Sequence, residues 1–135
     1  MKRIMARLAF ATAGMVAAVP LLAGTAGAVA QDGNCEDLEF CVFRQIDRDW
    51  AADWKASDTY YANNDYPLHP GYTVNNSASS VWNRNPCRVV LYNGINGDTT
   101  GGWINMPSGF VDNDLREVGG IDFNNVASGH SIACP

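Results

Sequence analysis

The stretch VNNSASSVWN at residues 74–83 returns almost unchanged as FNNVASGHSI at residues 123–132. Each copy has an apolar residue, two asparagines, one variable position, and then Ala-Ser followed by a small residue. We call the shared six-residue part, residues 75–80 and 124–129, the Asn-Ser motif. The two copies lie 49 residues apart, which is about half the length of an ordinary domain. The repeat predicts a chain built from two equivalent units.

The 49-residue offset extends beyond the motif itself. The apolar-aromatic pair at residues 42–43 aligns with a similar pair at residues 91–92, and Trp54 aligns with Trp103 without a gap. Each unit therefore has a strand-like segment, a loop, a tryptophan-bearing segment, a polar stretch and the Asn-Ser motif. Two copies are too few for a solenoid, so we predict one domain made of two paired units.

Short β-strands are the predicted secondary structure of both units. The segments FCVF, RVVLY, GWINM and HSIAC are rich in aromatic and β-branched residues and are bounded by Gly, Asn, Asp or Pro. Residues 47–56 have two tryptophans at helical spacing, but their counterpart in the second unit is Gly-Gly-Trp, so we predict a loop or the start of a strand. The predicted fold is all-β, with two Greek-key motifs at about residues 35–85 and 86–135 packed as a sandwich.

The first thirty residues have the three-part pattern of a secretory signal peptide. Three basic residues within the first seven positions precede an apolar, Ala-rich run, and Ala-Val-Ala at residues 28–30 provides small side chains for cleavage. The competing interpretation is a membrane anchor, but Pro20 and several glycines interrupt a run that is already short for spanning. We expect cleavage after Ala30, with Ala28 as the alternative, and a secreted, extracellular domain of residues 31–135.

The predicted mature chain is strongly acidic. The signal segment holds three of the nine basic residues and none of the fourteen acidic ones, which leaves a formal charge of −8. Such a domain repels phosphate backbones and anionic lipid surfaces, so we expect neither nucleic acid nor a membrane as its partner. The charge suits a soluble secreted protein or a partner with a positive surface, and does not distinguish the two.

All four cysteines, Cys35, Cys41, Cys87 and Cys134, follow the signal segment. An even number of cysteines in an oxidising compartment indicates two disulfides. Three pairings are possible, and the one that joins Cys35 to Cys41 closes a small loop and leaves Cys87 and Cys134 to hold the C-terminus. A zinc site is disfavoured because the sequence has no CxxC pair and no zinc-type spacing.

Catalytic chemistry finds little support in the sequence. The two histidines are His69, beside a proline, and His130, within the second copy of the repeated stretch. No G-x-S-x-G nucleophile motif occurs, and the cysteines are expected to be oxidised. The acidic residues show no spacing typical of a glycosidase pair. We therefore predict that the chain is not an enzyme.

The residues described so far resemble the βγ-crystallin-like domains of secreted bacterial proteins, and in particular peptidase inhibitor family I36. The resemblance rests on the close cysteine pair, the aromatic strand after it, and the Asn-Ser motif with its return near the C-terminus. NNSASS fits the βγ-crystallin signature of two Asn or Asp, two variable positions, Ser or Thr, and Ser. NNVASG fits except for its final residue, Gly129. The resemblance covers essentially all of residues 31–135.

The resemblance implies a secreted inhibitor of extracellular metalloendopeptidases that performs no chemistry itself. Its partner would be the peptidase, and we expect a monomer. The segment YYANNDYPLHPGY at residues 60–72 is the candidate docking loop, because Pro67 and Pro70 limit its freedom and a pre-ordered loop loses little entropy on binding. The competing interpretation assigns most of its aromatic side chains to the core. The candidate contact residues are Tyr60, Tyr61, Tyr66 and Leu68.

The resemblance also implies calcium sites at the two Asn-Ser motifs. Hydroxyl and carbonyl oxygens suit calcium, but asparagine replaces aspartate in both copies, so we expect at most roughly millimolar affinity and no required cofactor. The competing interpretation, which we favour, is a structural clasp in which Ser and Asn side chains satisfy backbone groups over a hairpin. The candidate ligands are the Ser79 and Ser128 hydroxyls and the Ser77 and Val126 carbonyls.

Two departures from the family pattern affect these expectations. The second unit has Gly101-Gly102 near the position where the family has a glycine with positive φ, whereas the first unit has Ala51-Ala52 there, so we expect its hairpin to be distorted. The wide separation of Cys87 and Cys134 prevents the transfer of a reactive bond from the family. A calcium-binding or stress-related module and a killer-toxin-like secreted effector are the alternative functions, because one fold hosts many roles.

Overall fold

The structure is a computed structural model that describes residues 31–135. The predicted signal peptide at residues 1–30 lies outside the described residues. The described part consists of β-strands joined by loops and short 3-10 helices, and it has no α-helix. Within this part of the chain, no helix is long and apolar enough to cross a membrane.

Nine short strands form the framework of residues 31–135. The 3-10 helices are Tyr61–Asn63, Ile95–Gly97 and Leu115–Glu117. The strands are β1 (Phe40–Phe43), β2 (Ala51–Trp54), β3 (Asp65–Tyr66), β4 (His69–Thr73), β5 (Ser80–Asn83), β6 (Arg88–Tyr92), β7 (Trp103–Met106), β8 (Val111–Asp112) and β9 (Gly129–Ala133).

The strands pair into two antiparallel sheets and one separate hairpin. The first sheet has the order β2-β1-β5-β8, the second has the order β7-β6-β9, and β3 pairs with β4 alone. Buried apolar side chains from both sheets form one core, to which β1, buried along its whole length, contributes Phe40 and Val42. The prediction of an all-β fold is confirmed.

The sheets do not follow the boundary between the sequence units. Strand β8 comes from the second unit, yet it pairs with β5 of the first, with Val81 opposite Asp112. In return, Asp58 of the first unit forms an isolated bridge to His130 on β9. Each unit therefore contributes residues to the sheet of the other unit. The folding of one unit depends on the other for this reason.

The gap-free alignment of Trp54 with Trp103 is wrong. Trp54 lies opposite Phe40, and the residue in the equivalent place of the second sheet is Met106, which lies opposite Val89. The loop of the second hairpin, residues 93–102, is longer than residues 44–50 of the first and includes a 3-10 turn, so the offset changes within it. Accordingly Trp54 is fully buried while Trp103 is 50% exposed.

The two disulfides hold the ends of the domain. Cys35 is bonded to Cys41, and Cys87 is bonded to Cys134. The first closes a short loop that ends within β1, and the second joins the residue before β6 to the residue after β9. This is one of the three pairings that the sequence allowed, and the prediction of two disulfides is confirmed.

Candidate functional site

The two Asn-Ser motifs lie against each other and exchange equivalent hydrogen bonds. The Asn76 N–H donates to the Ala127 carbonyl at 2.9 Å, and the Asn125 N–H donates to the Ala78 carbonyl at 2.8 Å. Asn76 and Asn125 both have positive φ, at 54° and 58°. Asparagine tolerates this left-handed conformation better than most residues, which explains why each copy has it at this position. The repeated stretch therefore builds an internal two-fold contact.

The backbone of each motif serine is hydrogen-bonded to the end of the first strand of its own unit. The Ser79 N–H donates to the Phe43 carbonyl at 2.7 Å, and the Ser128 N–H donates to the Tyr92 carbonyl at 2.8 Å. These bonds again differ by 49 residues in both partners. They support the structural interpretation of the motif, in which it joins the last strand of each unit to the first.

Two of the four candidate calcium ligands, the Val126 carbonyl and the Ser128 hydroxyl, lie close together at the second copy. The Ser128 hydroxyl lies 3.1 Å from the Asn76 side-chain oxygen and 3.2 Å from the Val126 carbonyl. For Ser77 the predicted ligand is the carbonyl, and its hydroxyl donates to the Thr73 carbonyl at 2.7 Å. Asn76 is not among the ligands that the sequence predicts, although it occupies the second position of the signature.

These oxygens fit a weakly bound hard cation and nothing stronger. A hydroxyl, an amide oxygen and a carbonyl suit calcium, but none of them carries a charge. The buried side-chain oxygen of Asn75 has no hydrogen-bond partner and lies in the same motif. Among residues 31–135 there is no group of three or more His, Cys, Asp or Glu side chains that could hold a metal ion.

Gly129 departs from the signature for a steric reason. A Cβ at this position would lie 2.5 Å from the Thr59 carbonyl carbon and 2.6 Å from its oxygen. Its counterpart Ser80 has room for a side chain, whose hydroxyl donates to the Gln45 carbonyl at 2.7 Å. The glycine therefore allows the backbone around Thr59 to pass close to β9, and the second copy cannot restore serine without moving it.

Two of the four candidate contact residues belong to the core. Tyr61 and Tyr66 are fully buried, so their rings cannot contact a partner, and the expectation is corrected for both. The physical reason is that both rings pack within the hydrophobic core. Tyr60 and Leu68 are at the surface, with 39% and 63% of their area exposed.

Tyr61 packs in an aromatic cluster around His130. Its ring stacks on Trp54 with centroids 4.9 Å apart, and its hydroxyl lies 2.7 Å from His130 Nδ1. His130 Nε2 lies 3.1 Å from the Ala56 carbonyl, which can only accept, so Nε2 carries the proton and Nδ1 accepts from Tyr61. Burial lowers the pKa of His130 to about 3. The imidazole is therefore neutral at physiological pH and holds the core together.

The first hairpin is distorted at residues other than those the sequence indicated. Positive φ values occur at Asp47, Arg48 and Trp50, at 63°, 67° and 59°, and Ala51 and Ala52 lie in the regular strand β2. With the offset of the hairpin corrected, Trp50 takes the place of Gly102, whose φ is 106°. The predicted distortion is present, and it lies in the loop before the strand.

Aromatic and basic side chains gather around this distorted loop. The Trp50 ring stacks on His69 with centroids 3.6 Å apart and contacts Tyr72 edge-on at 5.0 Å. The Arg44 guanidinium lies over both the Trp50 and Tyr72 rings, at 5.0 and 4.5 Å. The β1–β2 loop and the β3–β4 hairpin therefore form one continuous surface.

Comparison with known proteins agrees with this architecture. Residues 28–105 match the sequence model of peptidase inhibitor family I36, which is more than half of the chain. No curated protein matches the sequence. A solved structure described as "Evolution of the eye lens beta-gamma-crystallin domain fold" is similar to this chain, with a TM-score of 0.58 and 14% identity over 78% of this chain and 94% of that chain. At that identity the likeness shows the fold alone, and it confirms the predicted βγ-crystallin-like fold.

Proposed function

Because the chain belongs to peptidase inhibitor family I36, we propose that it inhibits extracellular metalloendopeptidases by presenting the tip of hairpin β3–β4 to their active-site cleft. The peptidase inhibitor role follows from the family. The class of peptidase and the docking of this hairpin are the proposal. The observation that supports the docking proposal is Leu68, an apolar side chain at the tip of the hairpin with 63% of its area exposed.

The residues on both sides of Leu68 are fixed before any partner binds. Tyr66 is fully buried, and its hydroxyl lies 3.1 Å from the Ser77 hydroxyl. Burial raises the pKa of Tyr66 to about 12, so the phenol stays protonated. On the other side, His69 stacks on Trp50. A tip held in this way loses little conformational entropy on docking, which favours tight inhibition.

One side-chain and one backbone hydrogen bond hold the rest of the hairpin. The Asp65 carboxylate accepts from the Gly71 N–H at 2.8 Å, and the Val74 N–H donates to the Asn64 carbonyl at 2.8 Å. Both bonds close the hairpin across its width. We infer that the tip keeps its shape in the bound state and that Leu68 enters an apolar pocket of the peptidase.

Secretion is part of the same proposal. Two disulfides stabilise a domain most effectively in an oxidising compartment, which is where an extracellular peptidase would be met. We propose that residues 31–135 are exported and act as a monomer that performs no catalysis.

Titration of a thermolysin-type metallopeptidase with the oxidised protein tests the proposal. We expect stoichiometric loss of peptidase activity near equimolar inhibitor. Leu68→Ala should raise the inhibition constant by about tenfold or more, because it removes an apolar anchor from a pocket. Leu38→Ala is the matched control, since Leu38 is also a leucine and is 59% exposed. Full activity at a large excess of wild-type protein would refute inhibition of thermolysin-type peptidases, and equal effects of the two variants would refute the hairpin assignment.

A calcium-binding structural module is the second candidate function. It is favoured by the meeting of the Asn76, Val126 and Ser128 oxygens between the two units, where a bound ion would link them. The melting temperature should then rise at about 10 mM calcium but not at equal magnesium, and Ser128→Ala should remove the rise. An unchanged melting temperature in the wild-type protein would refute this candidate.

A further inference from the structure

Arg48 occupies an unusual position in the β1–β2 loop. It is exposed, and its guanidinium lies 4.8 Å above the Trp82 ring. Within residues 31–135, Arg48 makes no hydrogen bond or ion pair. The Trp82 ring contacts the flat face of the guanidinium, and the guanidinium N–H groups have no acceptor in the protein. An arginine restrained in this way is prepared to bind an anion, because little side-chain entropy remains to be lost.

A second arginine on the same ring shows the contrast. The Arg84 guanidinium lies 4.6 Å from the Trp82 centroid, but its Nη1 donates to the Cys35 carbonyl at 2.6 Å. Arg84 also forms an ion pair with Asp37. Two guanidiniums therefore share one indole, and the charge of only one of them is satisfied by the protein. The exposed donors of Arg48 therefore stay available to solvent or to a partner.

The backbone that carries Arg48 is strained. Asp47, Arg48 and Trp50 all have positive φ, which costs roughly 1 kcal/mol or more for each such residue. Backbone hydrogen bonds hold the loop in this conformation: the Arg44 N–H donates to the Trp50 carbonyl at 3.2 Å, and the Gln45 N–H donates to the Asp49 carbonyl at 3.3 Å. Neither Asp47 nor Asp49 forms an ion pair with Arg48 in the described part of the chain. Strain of this kind concentrates at functional sites.

Two depressions meet at Arg48. One, of about 370 Å³, extends from Arg48 past Trp50 to Leu68. The other, of about 380 Å³, extends from Arg48 to Asp47 and Trp82. Phe43 lines both. Arg48 therefore stands between two concave areas, and one of them reaches the hairpin tip that the proposed function uses.

We propose that Arg48 is a second contact of the inhibitor, which pairs with a carboxylate at the rim of the peptidase cleft while Leu68 occupies the cleft. This inference rests on the proposed function. The choice of a carboxylate follows from charge and geometry: on a domain of formal charge −8, Arg48 offers an unsatisfied planar fork that matches a carboxylate with two parallel hydrogen bonds. The continuity of the depression with Leu68 places both contacts on one face.

Charge reversal at Arg48 provides the test. Inhibition constants against the same thermolysin-type peptidase would be measured for the wild-type protein, Arg48→Glu, Arg48→Lys and Arg88→Glu. Arg88 is an exposed arginine at the start of β6 in the other sheet, so Arg88→Glu makes the same change in net charge at a different place. Melting temperatures would establish that all four proteins are folded.

We expect Arg48→Glu to raise the inhibition constant by about a hundredfold and Arg48→Lys by several-fold, because lysine keeps the charge but loses the fork. Arg88→Glu should stay within about twofold of wild type. The inhibition constant of the wild type should increase with sodium chloride, and Arg48→Glu should remove most of that increase. If Arg48→Glu and Arg88→Glu inhibit equally, the Arg48 contact is refuted while the inhibitor function stands. If the wild type does not inhibit, both are refuted.

Discussion

Asp53 lies in the middle of strand β2 with its side chain fully buried. One carboxylate oxygen accepts from the Gly33 N–H at 2.8 Å, and the other has no partner. Burial raises the pKa of Asp53 to about 6; the bond from Gly33 opposes this rise, and the negative charge of Glu39 adds to it. Between pH 3.8 and about 6, the folded state therefore keeps a proton on Asp53 that the unfolded state has released.

The sign of the resulting pH dependence follows from linkage. The stability that protonated Asp53 provides is fully present below pH 3.8 and is lost as the pH rises through about 6. Asp53→Asn should therefore be more stable than wild type at pH 7.5, by about 1 to 3 kcal/mol, because the amide keeps the oxygen that accepts from Gly33 and removes the buried charge. At pH 4 the two proteins should be nearly equal in stability.

Urea unfolding at the two pH values measures this difference. Asp47→Asn removes the same charge from an exposed position and controls for net charge. A lower stability of Asp53→Asn at pH 7.5 would contradict the prediction, and would mean that the ionised carboxylate has a partner that stabilises it.

At the scale of the element, each Asn-Ser motif has its own environment although the sequence repeats. Ser80 opens β5 and bonds to the Gln45 carbonyl, whereas Gly129 opens β9 with the Thr59 backbone directly against it. The difference arises because the Thr59 backbone leaves no space for a Cβ at position 129, whereas the Ser80 side chain has room to reach a carbonyl. The signature therefore describes the local turn, and the backbone packed against that turn determines its last residue.

Restoring the signature in the second copy should destabilise the protein. Gly129→Ser would place a Cβ 2.5 Å from the Thr59 backbone, which has to move, and we expect a loss of about 2 kcal/mol or more. The reverse change, Ser80→Gly, creates no overlap and should cost less, roughly 1 kcal/mol, through the lost hydrogen bond. Thermal unfolding of both variants checks the order, and a stable Gly129→Ser protein would contradict it.

At the scale of the whole molecule, the two units depend on each other. Strand β8 completes the sheet of the first unit, and the two motifs exchange backbone hydrogen bonds. Cys87 and Cys134 join the beginning and the end of the second unit, at a separation of 47 residues, whereas Cys35 and Cys41 are separated by 6. The longer ring restricts the unfolded chain more strongly.

Replacement of each cysteine pair by alanine should separate the two contributions. Loop entropy predicts a loss of roughly 4 kcal/mol for the Cys87–Cys134 pair and roughly 2 kcal/mol for the Cys35–Cys41 pair. Denaturant unfolding of the two double variants, beside the wild type, measures both losses. A larger loss for the Cys35–Cys41 pair would contradict the entropic account and indicate that the short loop supports β1 directly.

The sequence was sufficient for the fold and insufficient for parts of the site. The repeat, the strand-like segments and the cysteine pattern predicted an all-β fold of two units, because each depends on residues close together in the chain. Sequence could not tell that Tyr61 and Tyr66 face the core while Leu68 faces solvent, since all three lie in one polar and aromatic stretch. The sequence alignment also paired Trp103 with Trp54 wrongly. The loop of the second hairpin is longer and changes the offset, and no sequence pattern reveals a change in loop length.

By itself the sequence determined the class of fold, the presence of two disulfides and the family. Turn residues and strand patterns can be recognised from residues that are close together in the chain. Only the tertiary structure decided which residues form the surface beside the hairpin. Arg48 and Trp82 are 34 positions apart in the chain, and Trp50 and His69 are 19 apart, yet each pair is in contact. Such contacts arise from the packing of strands that are distant in sequence, and no short stretch encodes them.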